Sequence, residues 1–227
     1  MKSRIDNIKS RISHAAVAAG RDPSDVRLVA VSKTVAPAGV LAAIDAGLFT
    51  FGENYIQEAA DKIETIADPR LSWHFIGHLQ SNKAKFAVQY FHLIHSVDSV
   101  KLAAEISKQA KKRNKMQDIL IQINISEEST KSGVSADAAF SMVKEISTLE
   151  NVSVQGLMTM PPFFDQPEKA RPYFHQLARL RDRIAEAGIP DVDMKELSMG
   201  MTGDFEVAIA EGATLVRIGT AIFGARQ

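Results

Sequence analysis

The run Leu28-Val29-Ala30-Val31-Ser32-Lys33 ends on a single lysine. Pro37 and an alanine-rich helical pattern follow, so the run reads as a buried parallel strand feeding a helix. Strand alternation puts Val29, Val31 and Lys33 on one face. If that face lines the inside of a closed α/β barrel, the lysine sits at the C-terminal mouth, where such barrels place their chemistry. Desolvation above an apolar core disfavours the ammonium and lowers its pKa. A neutral amine is the form that condenses with an aldehyde. A lone strand-terminal lysine more often snorkels to solvent, so the rest of the chain has to decide between the two readings.

Two glycine-bearing segments near the C-terminus bear on that choice. Ser198-Met199-Gly200-Met201-Thr202-Gly203 leads from a strand into a helix, and Arg217-Ile218-Gly219-Thr220 ends the last strand. Glycine lets backbone N–H groups approach an anion closely, and phosphate sites in barrels recur at the loops after strands seven and eight. Closure brings strand eight beside strand one, and so brings this cup beside Lys33. An amine next to an anion cup implies a small phosphorylated aldehyde or ketone. Alternation also puts Leu215, Arg217 and Gly219 on one face and Val216 and Ile218 on the other. With the aliphatic pair packed outward on helices, Arg217 points into the mouth.

The elements that must position these residues alternate along the chain. Strands are expected over 28–32, 49–51, 73–76, 92–96, 118–125, 152–157, 194–198 and 214–218. Helical patterns lie between them over 38–46, 56–66, 82–90, 100–113, 136–149, 168–187 and 205–210. Eight strands separated by helices favour a (β/α)8 TIM-type barrel of class α/β over an open doubly wound sheet. Few residues follow the last strand, so its helix is expected to be absent or very short. An extra N-terminal helix, with Ile5, Ile8, Ile12, Ala15 and Ala19 as its apolar stripe, is placed to fill that gap.

Lys+Arg and Asp+Glu are both 27, so no bulk charge drives binding to nucleic acid or a membrane surface. No apolar run approaches the roughly 18 residues of a membrane span. With no cysteine there is no disulfide framework, thiol nucleophile or thiolate metal site, which suits a reducing compartment. Lys2, Arg4, Lys9 and Arg11 faintly suggest a transit peptide, but a helix docked on the barrel explains the pattern as well. His74 and His78 straddle a strand end, and His92 and His95 point to opposite faces of one strand, so no metal site is expected. His78 is left as a candidate lining residue of the mouth. Lys108, Lys111, Lys112, Arg113 and Lys115 read as a solvated helix C-terminus, and Lys131 as a loop lysine on the mouth side.

The stretches Val31-Ser32-Lys33, Phe51-Gly52-Glu53-Asn54-Tyr55, 73–83, Ile123-Asn124-Ile125 with Lys131-Ser132-Gly133, Gly156-Leu157-Met158, Ser198-Met199-Gly200-Met201 and 217–224 together carry a family signature. In this order and over essentially the whole chain, the sequence resembles the YggS/PROSC family of pyridoxal phosphate homeostasis proteins, related to the barrel domain of alanine racemase. The resemblance implies one fold-type III pyridoxal 5′-phosphate (PLP) barrel over 1–227, with Lys33 as internal aldimine and no C-terminal β-domain. It implies Asn54 near the cofactor ring and Arg217 near the pyridine nitrogen. Ser198, Gly200, Gly219 and Thr220 would hold the phosphate, with Met199 and Met201 supplying backbone groups and walls. It also implies a cytoplasmic, monomeric protein that buffers PLP and delivers it to apo-PLP enzymes in vitamin B6 homeostasis, with no catalytic residue assigned.

The alternative is a PLP-dependent amino-acid racemase. A two-base racemase needs a second proton-transfer group opposite the lysine. Of the three tyrosines, Tyr90 and Tyr173 fall within helix patterns, and Tyr55 alone follows a strand end. An arginine at the ring nitrogen also keeps its proton, which leaves the ring a weaker electron sink than a carboxylic acid would. The expectation is therefore a carrier or regulator. A lysine aldolase acting on a sugar phosphate would use the same amine and cup, and is the third reading.

Overall fold

Apolar runs alternate with amphipathic segments, and each run pairs with its predecessor in sequence. A computed structural model describes residues 1–126, 128 and 132–224. Lys131 lies outside the described residues. The strands are β1 (Arg27–Val31), β2 (Thr50–Glu53), β3 (Ser72–Phe75), β4 (Leu93–Val97), β5 (Gln117–Gln122), β6 (Val152–Met158), β7 (Val192–Ser198) and β8 (Leu215–Ile218). They form a closed barrel in chain order, with parallel pairing throughout, including β8 back onto β1.

The intervening helices form the outer layer. They are α1 (Lys2–Ala18), α2 (Pro37–Asp45), α3 (Ile56–Ile66), α4 (Ala84–Tyr90), α5 (Val100–Lys111), α6 (Ala136–Ile146), α7 (Arg171–Glu186), α8 (Phe205–Ala210) and α9 (Thr220–Phe223). Their starts follow from local chemistry. Pro37 sits in the first turn of α2, and the Ser99 and Ser135 hydroxyls accept from backbone N–H groups of α5 and α6. The helix after β8 is only one turn, as expected. Helix α1 packs on α8 and α9, burying Ile5, Ile8, Ile12 and Ala16. Ala15 and Ala19 are only partly buried, because a 3.6-residue period carries the stripe from Ile12 to Ala16. The basic residues of α1 tie it down: Lys9 Nζ donates to the Gly47 carbonyl, and Arg11 pairs with Glu206 and covers the Phe205 ring.

Most boundaries agree with expectation to within a residue or two. Three boundaries differ by three residues: β5 ends at Gln122 rather than Ile125, α6 ends at Ile146 rather than Leu149, and α7 begins at Arg171 rather than Glu168. Beyond β5 the Ile123 N–H still donates to the Met158 carbonyl of β6, while an isolated bridge joins Ile123 to Val134 and the Asn124 N–H donates to the Val134 carbonyl.

The core has two parts. The larger lies between strands and helices. A smaller one inside the barrel is made of Val29, Leu93, Leu120, Met158 and Leu215. Val216 and Ile218 belong to the outer core, so strand parity turns Arg217 inward. The β1–β8 register sets Val29 against Arg217. The first strand therefore delivers Lys33, and the last delivers Arg217, to the same end of the barrel.

Candidate functional site

A cavity of about 620 Å³ opens at that end. Lys33, Asn54, Arg217 and Thr220 line it, together with Met201 and Thr202. Residues separated by nearly the whole chain thus share one wall, as barrel closure required.

Lys33 is half-buried, and the backbone around it is held firmly. Thr34 has φ +64°, a left-handed conformation that a β-branched residue rarely adopts. Its N–H donates to Glu58 Oε1 at 2.5 Å. The Ser32 N–H donates to the Gly52 carbonyl at 3.0 Å, and the Val35 N–H to the Ser32 carbonyl at 3.0 Å. Behind the turn lies Lys62, almost fully buried on α3. Its ammonium donates to the Ser32 carbonyl at 2.6 Å, to Glu53 Oε1 at 2.8 Å and to Glu58 Oε1 at 2.6 Å. The Ser32 hydroxyl donates to the same Glu53 oxygen at 2.7 Å. Burial pushes the Glu53 carboxyl above the usual carboxylate range, and the bonds from Lys62 and Ser32 oppose that rise.

Asn54 follows β2. Gly77 packs so tightly over it that a Cβ there would lie 2.3 Å from the Asn54 carbonyl oxygen. The Asn54 side-chain oxygen is buried and accepts no hydrogen bond within the described residues. Asn54 is one of the residues that line the cavity.

The turn after β7 is built on Gly200, whose φ of +88° and close approach to Ala208 exclude a side chain. The Arg217 N–H donates to the Gly200 carbonyl at 3.0 Å, which carries the pairing of β7 and β8 up to the mouth. The Asp204 carboxylate accepts from the Met201 N–H at 2.6 Å and fixes the next turn. Burial raises the Asp204 carboxyl above its ordinary value. Thr202 and Thr220, one from each loop, bring their hydroxyls within 3.4 Å of each other.

Of the residues expected here, Lys33, Asn54, Met201, Arg217, Gly219 and Thr220 line the cavity. Ser198, Met199 and Gly200 are fully buried and are not among its lining residues. Ser198 lies one layer deeper, its hydroxyl bonded to Arg217 and His95. Met199 is part of the outer core. The hydroxyl that this turn presents to the cavity is that of Thr202, which the sequence reading passed over. Its signal was present: it lies two residues past the glycine that turns the chain. His78 is exposed and outside the lining.

Arg217 is almost fully buried. One Nη donates to Ser198 Oγ, and the other to the Thr159 carbonyl at 2.9 Å. Burial lowers its pKa to about 10, with Asp204 acting in the opposite direction. It stays protonated at neutral pH and acts as a fixed donor. The lining residues thus combine an amine, a guanidinium, an amide and two paired hydroxyls. That set suits an anionic ligand with an electrophilic carbon.

Among the described residues no cluster of three His, Cys, Asp or Glu could hold a metal ion. The basic residues after α5 are engaged structurally. Lys115 Nζ donates to the Val88 and Phe91 carbonyls at 3.0 and 2.9 Å, Arg113 to Gln89, and Lys111 pairs with Glu150.

Residues 4–227 match the family described as alanine racemase, N-terminal domain. A pyridoxal phosphate homeostasis protein of Aquifex aeolicus is 45% identical over 224 residues, covering 99% of this chain and 97% of its own. A solved structure of an unknown protein from Bifidobacterium adolescentis superposes with a TM-score of 0.92 at 38% identity, covering 97% of this chain and 93% of that one. PipY of Synechococcus elongatus PCC7942, solved with PLP bound, gives a TM-score of 0.86 at 33% identity, covering 98% of this chain and 99% of its own. The barrel, the lysine at its mouth and this likeness over nearly the full length agree: the chain belongs to the alanine racemase N-terminal domain family and, within it, to the YggS/PROSC pyridoxal phosphate homeostasis proteins.

Proposed function

We propose that this chain binds pyridoxal 5′-phosphate in the barrel mouth and acts as a carrier and regulator of that cofactor in intracellular vitamin B6 homeostasis. The observation that carries the reading is one cavity holding the Lys33 amine, the Arg217 guanidinium and the Thr202–Thr220 hydroxyl pair. The residues fit the group. The cavity volume is within the range of small-molecule sites, about 300–1,000 Å³. Its wall brings a primary amine, a guanidinium and two hydroxyls together, the groups that an aldehyde, a ring nitrogen and a phosphate call for, and Asn54 adds an amide.

When bound, the cofactor supplies an aldehyde that a neutral amine captures reversibly, and Lys33 is the amine in the wall. Thr202 and Thr220, with the backbone of Met201 and Gly219, would take the phosphate. Arg217 would donate to the ring nitrogen and keep its own proton, and Asn54 would face the ring. Ser198, Met199 and Gly200 support the phosphate turn from behind.

The carrier reading is favoured over an amino-acid racemase by the cavity's ionisable side chains, which among the described residues are Lys33 and Arg217. Tyr90 donates to Glu64 and Tyr173 stacks on Phe164, and neither is among the lining residues of the cavity. Tyr55 is mostly exposed and outside the lining. None stands as the second base that a two-base racemase needs. The protein is read as a cytoplasmic monomer that hands PLP to apo-PLP enzymes. Among the described residues no helix is long and apolar enough to cross a membrane.

Titrating PLP into the protein and into Lys33→Ala, while following the visible absorption band, tests the binding. A band that saturates with one equivalent in the first and is lost in the second supports the reading. Equal spectra from both proteins would refute it. Exchange of the α-hydrogen of an added amino acid at an enzymatic rate, abolished in Lys33→Ala, would replace the carrier with the racemase.

A further inference from the structure

Beneath the cavity a row of polar side chains runs down through the barrel interior. Arg217 Nη1 donates to Ser198 Oγ, which lies 2.8 Å from His95 Nδ1. His95 Nε2 is 3.0 Å from His74 Nδ1, and His74 Nε2 is 3.1 Å from Ser72 Oγ. The row crosses from β8 through β7 and β4 to β3. Ser198, His95 and His74 are all buried, and Ser72, at the far end, is half-buried.

The proton positions along this row follow from its first member. A guanidinium has only donors. Ser198 Oγ must therefore accept from Arg217, and within the described residues its own proton has one remaining acceptor, His95 Nδ1. His95 then carries its hydrogen on Nε2 and gives it to His74 Nδ1. His74 in turn carries its hydrogen on Nε2 and gives it to Ser72. Every buried donor of the row finds an acceptor only if both rings are neutral and both are Nε2–H tautomers; the reverse order would leave the Ser198 hydroxyl proton without one. Burial acts in the same direction. It lowers the pKa of His74 to about 3 and that of His95 well below the usual value, with nearby Arg27 adding to both shifts. A proton on either ring would put a second cation beneath Arg217 and leave one donor of the row without an acceptor.

Interiors filled with apolar side chains are no less stable than polar ones. A row of buried polar groups ending on a residue of the cavity wall is therefore best explained by what it does to that residue. Arg217 has two fixed points, Ser198 Oγ and the Thr159 carbonyl. Without the first, the guanidinium can pivot about the second.

We infer that His95 and His74 are positioning residues for Arg217: their proton-ordered row fixes the aim of the guanidinium into the cavity, and with it the seat of the ligand's ring nitrogen. The last clause rests on the PLP reading, whereas the row itself does not.

Nitrogen-15 NMR of the protein without added ligand tests the row directly. Both histidines should give the neutral Nε2–H pattern from about pH 8 to about pH 5. Ser198→Ala should shift the Arg217 side-chain resonances, and Ser198→Thr, which keeps the hydroxyl, should restore them. An Nδ1–H tautomer or a charged ring at neutral pH would overturn the inference, as would Arg217 resonances unmoved in Ser198→Ala. With PLP as the probe, Ser198→Ala and His95→Leu should weaken binding about tenfold and move the absorption maximum, as expected for loss of one charge-assisted bond. Folded variants that bind with the parent constant and spectrum would also overturn it. If the parent protein bound no PLP, the failure would belong to the cofactor reading, and the NMR arm would still decide the row.

Discussion

Behind Lys33 the polar cluster is built on ion pairs to Lys62, whereas beneath Arg217 all of the row but the guanidinium itself is neutral. The first cluster, Ser32, Glu53, Glu58 and Lys62, lies between the barrel wall and α3 and acts on backbone: the Ser32 carbonyl and the Thr34 N–H. The second, Ser198, His95 and His74, lies inside the barrel and acts on a side chain. The difference follows from what each must hold. A strained turn such as that at Thr34 needs strong, convergent bonds, and a buried ammonium with three acceptors provides them. A buried guanidinium already carries the local charge, so its support has to be neutral or it would be repelled.

The charged cluster should be the more costly to break. Lys62→Met leaves a Glu53 oxygen and the Ser32 carbonyl buried with a partner lost, and the expected destabilisation is about 3–5 kcal/mol, read from urea unfolding. A loss indistinguishable from that of a surface substitution would show that the turn holds itself.

The neutral cluster should show itself through pH. His74 titrates near 6.5 in the unfolded chain and at about 3 in the fold. Below 6.5 the unfolded chain takes up a proton that the folded chain refuses. The stability from this group is therefore full above pH 6.5 and is lost progressively as pH falls towards 3. By pH 5 the loss from His74 is about 2 kcal/mol, with His95 adding in the same direction, measured as the difference in unfolding free energy between the two pH values. In a His74→Leu background that slope should flatten.

The smallest effect is expected where charge is fully exposed. Lys111→Ala removes an ion pair with Glu150 at the surface, and the unfolding midpoint should not move. Set beside Lys62→Met, it separates an ion pair that organises a site from one that merely exists.

Much of this molecule was legible before any coordinates. Eight alternations gave the barrel, and strand parity placed Lys33 and Arg217 correctly because each lies at or just past the end of a strand with clear inward and outward residues. Parity also separated His92 from His95. How deep Ser198 sits could not be read in this way. At a strand end that runs into a glycine turn, the sequence does not say on which residue the wall of the barrel stops and the rim begins. The rim falls at Met201 and Thr202. The polar clusters were beyond reach for a different cause. His74 meets His95 across two strands, and Lys62 meets Ser32 from a helix, so both contacts depend on the register and tilt of the closed barrel. Only the four-residue spacing of Glu58 and Lys62 on α3 could have been read directly.

The central claim is that the amine delivered by the first strand meets the ligand held by the last two. Incubating the protein with one equivalent of PLP, reducing with borohydride and mapping the pyridoxyl adduct by peptide mass spectrometry tests it most directly. The account predicts a single modified residue, Lys33. An adduct spread over surface lysines such as Lys112, with Lys33 unmodified, would contradict it.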